Sequence, residues 1–390
     1  MVNDIVILGS TGSIGNSVLD SIKFQKNFKV KLLTTNKNSK KILNQALKYN
    51  VKDIIIENEK EFKKNREIFK KKKINLHLGI RNINKIIKKK VKYSINAISG
   101  INGLEPTLKV ISKSENILIA NKESIICGWH LIKKKLIKYK TNFIPIDSEH
   151  YSIWELIKQE NPKNVEKVIL TASGGPFLNK PKNKIINIKP KFAIKHPNWK
   201  MGKKISIDSS NLMNKIFEFI EAKKIFNLKN NQVSILIHPK SFIHAVVFLK
   251  GDLIKFLAHN PKMTIPISNA LGIKKKSNIK KLKNYSKIFS SLKFDEPNKD
   301  KFPLLTLLDI LPEKTSFFET ILISLNDLLV EKYLNGSINY ISIKSNLLKH
   351  IKNPYFKKYY KLKPKNIYDI KKISMLTKNY LEKNIIKYEK

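Results

Sequence analysis

Asp147, Ser148, Glu149 and His150 follow one another in this chain, and further along Met213-Asn214-Lys215-Ile216-Phe217-Glu218 gathers an amide, an ammonium and a carboxylate. Two carboxylates at i and i+2 lie on one face of an extended segment, because side chains alternate along a strand. Glu218 falls one turn beyond Asn214 in a stretch with helical patterning. Asp147, Glu149 and Glu218, from two elements, therefore offer hard oxygen donors of the kind that hold Mg²⁺ or Mn²⁺. The chain has only 30 acidic residues against 77 basic ones, so ordinary surface charge explains this clustering poorly.

A second chemical signal stands near the start. Gly9-Ser10-Thr11-Gly12-Ser13-Ile14-Gly15 follows the apolar run Ile5–Leu8 and opens a helical stretch. Glycines there let the backbone approach a pyrophosphate, and the helix N-terminus supplies unpaired N–H groups, as a dinucleotide site requires. At the end of the next expected strand, Asn36, Lys37 and Asn38 stand where an NAD-binding fold would often carry an acidic residue for the ribose diol. A lysine between two amides suits a 2′-phosphate, so the cofactor expected is NADPH.

Other segments carry polar groups in loop settings. Asn121-Lys122-Glu123-Ser124 ends an expected strand, and Ser173-Gly174-Gly175 can offer a hydroxyl and backbone N–H groups to a phosphate. Each also has a plain reading, as a helix start and as an ordinary tight turn. Trp199 and Met201 lie in a Pro- and Gly-bounded polar loop with His196 and Gly202, which fits a lid that excludes water. Ser209, Asn214, Lys215 and Glu218 bring anion donors, a cation and a metal ligand within about two helical turns. Asp208 reads as a helix cap, His238 as a packed histidine behind the site, and Cys127 as a small structural residue.

The elements that must position these groups alternate strand and helix through residues 1–146, which implies a doubly wound, Rossmann-like parallel sheet binding NADPH. From 147 to 275 the texture changes to Pro-containing loops, short strands and helices over Tyr151–Gln159 and Ser209–Phe226. This is the expected α+β catalytic, metal-binding and dimerisation domain. A Lys- and Asn-rich linker over 276–300 leads to a helical C-terminal domain, 301–390, with helices over Leu304–Leu311, Phe317–Tyr333 and beyond Asn366. No apolar run approaches the ~18 residues of a membrane span. The lone Cys127 and an opening that passes directly into a strand predict a cytoplasmic protein. The net charge of +47 invites a nucleic-acid partner. Its lysines, however, are spread along the chain beside abundant Ile and Asn, the signature of A/T-rich codons. No nucleic-acid or membrane partner is expected, and a phosphorylated small molecule is.

Taken in order, Gly-Ser-Thr-Gly-Ser-Ile-Gly, Ala-Asn-Lys-Glu-Ser, Asp-Ser-Glu-His, Ala-Ser-Gly-Gly-Pro-Phe, Lys-His-Pro-Asn-Trp-x-Met-Gly, Met-Asn-Lys-x-x-Glu and Ile-His-Pro resemble the 1-deoxy-D-xylulose 5-phosphate reductoisomerase family over essentially the whole chain. The resemblance implies NADPH contacts from Thr11, Gly12, Ser13, Ile14, Asn36, Lys37, Asn38, Asn121, Glu123 and Gly202. It implies a divalent metal on Asp147, Glu149 and Glu218, with Lys122 near the hydroxy-ketone oxygens. Substrate contacts fall to Lys122, Ser148, Glu149, Ser173, His196, Ser209, Asn214, Lys215 and Glu218, with Trp199 and Met201 on the lid, in a homodimer. The implied reaction rearranges a hydroxy-ketone phosphate and reduces the resulting aldehyde with NADPH. Asn36, Lys262, Thr264 and Asp327 depart from the family pattern. Two rivals stand beside this reading. An NADP-dependent semialdehyde or homoserine dehydrogenase would not need three metal carboxylates, and a nucleic-acid-binding protein would show aromatic-interleaved basic patches.

Overall fold

Short runs of Ile, Val and Leu, each followed by an amphipathic stretch, fold as alternating strands and helices. The computed structural model describes residues 2–181, 184–199, 201–274 and 285–385. The chain divides into two compact units, Met1–Ile125 with Trp129–Tyr151 and Met263–Lys275, and Ile126–Gly128 with Ser152–Lys262 and Lys276–Lys390.

The first unit runs β1 (Asn3–Leu8), α1 (Ser13–Ile22), β2 (Phe28–Thr35), α2 (Ser39–Lys48), β3 (Asp53–Ile56), α3 (Glu59–Lys71), β4 (Asn75–Leu78), α4 (Ile83–Ile86), β5 (Val91–Asn96), α5 (Leu104–Val110), β6 (Ser114–Ile119), α6 (Lys122–Tyr139) and β7 (Asn142–Pro145). Its seven strands are parallel in the order β4-β3-β2-β1-β5-β6-β7. Ile5 to Leu8 are fully buried, as a central parallel strand covered on both faces must be. The order reverses between β1 and β5, and ligands of such sheets bind at that switch point beyond the carboxyl ends of the strands. The Gly-rich turn follows β1 at this place. Gly9 has φ +77°, and a Cβ on Gly15 would come within 2.5 Å of the Gly9 carbonyl oxygen, so α1 can start this close to the strand only with glycine there.

In the chain order, α7 (Ser148–Leu156) follows β7. The second unit continues with β8 (Val165–Ala172), α8 (Pro190–Ala193), α9 (Lys203–Ser210), α10 (Met213–Phe226), β9 (Val233–Ile237), β10 (Ile243–Leu249) and β11 (Leu253–Ala258). Helix α11 (Thr264–Ala270) belongs to the first unit, where it packs on α1. The four strands of the second unit form a sheet in the order β11-β10-β8-β9, with only β8 and β9 parallel. Helices α12 (Tyr285–Phe289), α13 (Phe318–Leu334), α14 (Tyr340–Ile351), α15 (Pro354–Lys357) and α16 (Ile367–Asn384) complete it. Buried residues surround α13 on nearly every side, from Ile321 and Leu322 to Leu329 and Val330, which makes it the core helix against α14 and α16.

Several expectations change. Asp147 and Glu149 do not share a strand face. β7 ends at Pro145 and α7 begins at Ser148, with the Asp147 carbonyl accepting the Tyr151 N–H at 2.8 Å, so Glu149 stands in a first helical turn. That helix runs over Ser148–Leu156 and not Tyr151–Gln159. The expected helix over Ser209–Phe226 is two helices, because Leu212 adopts a left-handed φ of +63° between them. Ser209 thereby lies in the last turn of α9, and Asp208 is an interior helical residue, not a cap. Leu304–Leu311 forms a 3₁₀ run, Pro303–Ile310. Of the expected linker, residues 276–284 lie outside the described residues, while Asp295 bridges Ile237.

Candidate active site

In the first unit, the Gly-rich turn is tied down by groups on β2 and α2. Gly9 N–H donates to Thr34 Oγ1 at 2.9 Å, Gln45 Nε2 donates to the Ser10 carbonyl at 3.0 Å, and Lys41 Nζ donates to the Thr11 carbonyl at 2.9 Å. Gly12 occupies the N-cap of α1 and offers no side-chain cap, so the first N–H groups of that helix have no partner from the cap. This arrangement fits a pyrophosphate, for which unpaired N–H groups and the helix dipole are the binding device. Asn36, Lys37 and Asn38 are exposed just beyond β2, and Asn38 also caps α2 by accepting the Lys41 N–H at 3.2 Å.

Lys122 opens α6 just beyond β6, and Asp147 follows β7. These strands are neighbours in the sheet, so two positions far apart in sequence arrive at one carboxyl edge. There Lys122 Nζ forms a close ion pair with Asp147 Oδ2, and His150 Nδ1 lies 3.6 Å from the same oxygen. Burial alone would push the Asp147 carboxyl up. The Lys122 charge, with His150, overrides that and holds it well below the usual carboxylate range. Ser148 Oγ donates to Glu149 Oε2 at 2.5 Å. Asn121 is buried, and its amide donates to the Ile98 and Gly100 carbonyls while its oxygen accepts the Ser124 N–H at 2.6 Å. It fixes the start of α6, the turn that carries Lys122 and Glu123.

In the second unit, the Ser173-Gly174-Gly175 loop leaves the end of β8. Gly175 has φ +67°, and a Cβ there would fall 2.6 Å from the Ser209 carbonyl oxygen. Glycine thus lets the loop press directly on the Ser209–Ser210 backbone. Ser173 Oγ lies 2.9 Å from His196 Nε2, and His196 Nδ1 accepts the N–H groups of Asn198 at 3.1 Å and Trp199 at 3.0 Å. A nitrogen accepting two N–H bonds carries no proton, so neutral His196 donates from Nε2 to Ser173. Gly175 N–H also donates to Ser173 Oγ at 3.1 Å, which leaves the serine hydrogen to point at a ligand. On α10, Asn214 donates to Glu218 one turn on, and Lys215 pairs with the same carboxylate. Lys215 and Glu218 are both buried. Trp199, expected on a lid, rests edge-on against His244 of β10 at 5.9 Å, and His244 stacks on His259 at 4.0 Å.

Comparison with known proteins matches three segments of the chain. The model of the reductoisomerase itself matches residues 5–128, and two models of its C-terminal domain match 143–226 and 259–380. A 1-deoxy-D-xylulose 5-phosphate reductoisomerase of Pelagibacter ubique is 47% identical over 373 residues, covering 95% of this chain and 96% of that protein. The chain belongs to the 1-deoxy-D-xylulose 5-phosphate reductoisomerase family.

A Sulfurihydrogenibium reductoisomerase is 38% identical over 86% of this chain and 87% of its own length. Among solved structures, a reductoisomerase with NADPH, fosmidomycin and magnesium superposes with a TM-score of 0.89 at 29% identity, covering 98% of each chain. The Zymomonas mobilis reductoisomerase in complex with NADPH gives 0.85 at 27%, covering 99% of each. Cys127 is buried in α6. His238 is the packed residue expected, its Nδ1 2.8 Å from the Lys293 carbonyl and its ring stacked on Phe294. Reading the sequence missed Lys41 and Gln45, which hold the Gly-rich turn, and His244, which packs on Trp199. Lys41 and Gln45 sit one turn apart on α2, but nothing in their spacing names the turn they hold. His150 was visible within its own motif.

Burial pushes the His196 imidazole down from 6.5 to about 4. The unfolded chain therefore takes up this proton first. The loop's contribution to stability is full above about pH 6.5 and is lost as pH falls through 4. The expected result is a Tm that drops more steeply between pH 7.5 and 5 in the wild type than in His196→Gln. Parallel melting curves for the two proteins would refute it.

Proposed function

We propose that this chain converts 1-deoxy-D-xylulose 5-phosphate to 2-C-methyl-D-erythritol 4-phosphate, using NADPH and Mg²⁺ or Mn²⁺, in the non-mevalonate route to isoprenoids. The observation that carries the reading is the Lys122–Asp147 pair at the carboxyl edge of the parallel sheet, in a chain of this family. The metal's ligands are Asp147, Glu149 and Glu218. Their support is the donor chemistry: Asp147 is kept ionised by its lysine, and Glu218 is buried as the partner of Lys215. Bound there, the ion supplies Lewis acidity toward the hydroxy-ketone, and NADPH supplies the hydride.

The chain's own residues do the rest. Thr11, Gly12, Ser13 and Ile14 receive the pyrophosphate end of NADPH, Asn36, Lys37 and Asn38 the 2′-phosphate end, and Asn121, Glu123 and Gly202 the remainder. Ser173, Ser209, Asn214 and Lys215 hold the substrate phosphate. His196 orients Ser173, and Lys122 and Ser148 face the hydroxy-ketone oxygens. Gripping the remote phosphate positions the reacting carbons, and Trp199 and Met201 keep water out. Residues 1–146 serve NADPH, 147–275 catalysis and dimerisation, and 301–390 form the helical domain joined through 276–300. The direct test follows NADPH absorbance with this substrate and Mn²⁺ or Mg²⁺, with and without EDTA. Metal-dependent oxidation is expected, and a folded, NADPH-binding protein without turnover would refute the assignment.

The working protein is a cytoplasmic homodimer. No helix among the described residues is long and apolar enough to cross a membrane, and the single cysteine is buried. The dimer reading is supported by β11, an edge strand on which Leu253, Ile254 and Phe256 are each about half exposed. An open apolar edge of this kind invites antiparallel pairing with a second copy. Ile254→Lys with Phe256→Lys is expected to sediment as a monomer at micromolar concentration. A doubly substituted protein that stays dimeric would place the interface elsewhere.

A further inference from the structure

We propose that α13 is the frame that fixes both stems of the lid segment and, through them, the phosphate-gripping Ser209, with Asn326, Asp327 and Tyr333 as positioning residues of the reaction. The proposal rests on the reading of Ser209 and the lid given above. On the first stem, the Tyr333 hydroxyl donates to the Ile188 carbonyl at 2.7 Å. On the second, Lys204 Nζ lies 2.7 Å from Asp327 Oδ1 and 3.5 Å from Asp208 Oδ2. The Asn326 amide donates to Asp208 Oδ1 at 2.8 Å. Asn326 and Tyr333 stand two helical turns apart on α13, hence on one face.

Ser209 is held from both sides. Asp208 before it is bonded to Asn326, and Ser210 after it lies 2.7 Å from the Tyr340 hydroxyl of α14. The Tyr340 ring meets Tyr333 edge-on at 5.6 Å and Phe177 at 5.3 Å, which extends the same contact to the loop that carries Ser173. Burial pushes both phenols above their ordinary range, so each hydroxyl stays protonated at any assay pH. Asp208 and Asn326 are almost wholly buried. A buried carboxylate that loses one partner retains its desolvation cost, so these bonds hold α9 in a single place. Asp327 stands where the family pattern leads one to expect glutamate, so this chain makes the Lys204 contact with the shorter acid.

Packing bonds of the bundle alone would change stability only; a frame for the site changes substrate binding. The full-length variants Asn326→Ala and Tyr340→Phe are expected to raise KM for 1-deoxy-D-xylulose 5-phosphate about fivefold to twentyfold, the worth of one buried polar bond. KM for NADPH should change less than KM for the substrate, since Gly202 alone of the proposed NADPH contacts lies on the lid segment. Asp327→Asn raises the substrate KM, and Asp327→Glu, which keeps the charge, restores it. Trypsin cleavage at Lys191 and Lys195, without substrate, should accelerate in Tyr333→Phe and Asp327→Asn. Unchanged KM and cleavage in every variant, with only a lower Tm, overturns the proposal. A wild type that does not turn over this substrate refutes the functional reading instead, and faster cleavage in the variants would still support the anchoring.

Discussion

Glu149→Gln is expected to lower kcat/KM by about 10³-fold or more while leaving NADPH affinity within about twofold. The substitution keeps the volume and one oxygen but removes a negative charge from a proposed set of three carboxylates. Lewis-acid stabilisation is worth several kcal/mol, and about 4 kcal/mol corresponds to the stated factor. Glu149 stands in the first turn of α7 and accepts the Ser148 hydroxyl, so an amide there keeps the local bond and the helix start. The defect should therefore appear in metal affinity, not in the melting curve. Titration with Mn²⁺ followed by electron paramagnetic resonance checks it directly. Full activity in Glu149→Gln, at metal concentrations that saturate neither protein fully, would remove Glu149 from the ligand set.

Lys122→Met is expected to lower kcat/KM by about 10²- to 10³-fold, the usual cost of removing a preorganised charge at a reacting oxygen. It carries a second signature. Burial pushes the Asp147 carboxyl up, and the Lys122 charge, with His150, holds it down. Without that ammonium only His150 opposes the burial effect, and Asp147 binds a proton at a higher pH than in the wild type. Metal binding must then displace this proton. Metal affinity in the variant should weaken progressively as pH falls from 8 toward 5, where the wild type stays level. The measurement is the Mn²⁺ dissociation constant at a series of pH values. Coincident pH profiles for the two proteins would show that Lys122 does not set the charge on Asp147.

Much of this protein could be read along the chain. The β-branched runs Ile5–Leu8, Asp53–Ile56 and Ile117–Ile119, each bounded by polar turns, are strands of a parallel sheet because they must be buried on both faces. Gly9, Gly12 and Gly15 marked the turn at the switch point, where a Cβ on Gly9 would come within 2.8 Å and one on Gly15 within 2.5 Å of a backbone carbonyl oxygen. Asn214, Lys215 and Glu218 were legible as one cluster because helical spacing alone brings Glu218 back to the residues three and four before it.

Other features depend on contacts between distant positions, and local patterning carries no record of these. Asp147 and Glu149 looked like a strand pair, but the chain turns into a helix directly after β7, since the sheet's edge has been reached. A single helix over Ser209–Phe226 satisfied the apolar period, yet Leu212 takes a left-handed conformation and parts it in two. The neutral state of His196 follows from the backbone N–H groups of Asn198 and Trp199 that turn back onto its ring. The depressed Asp147 carboxyl follows from the adjacency of β6 and β7, which brings Lys122 to it. Residue types and spacing by themselves determined the family's chemistry and the strand–helix alternation, because those are local or periodic properties. Only the tertiary structure decided protonation, orientation and anchoring, because each is set by which distant charge or carbonyl the fold brings within hydrogen-bonding reach.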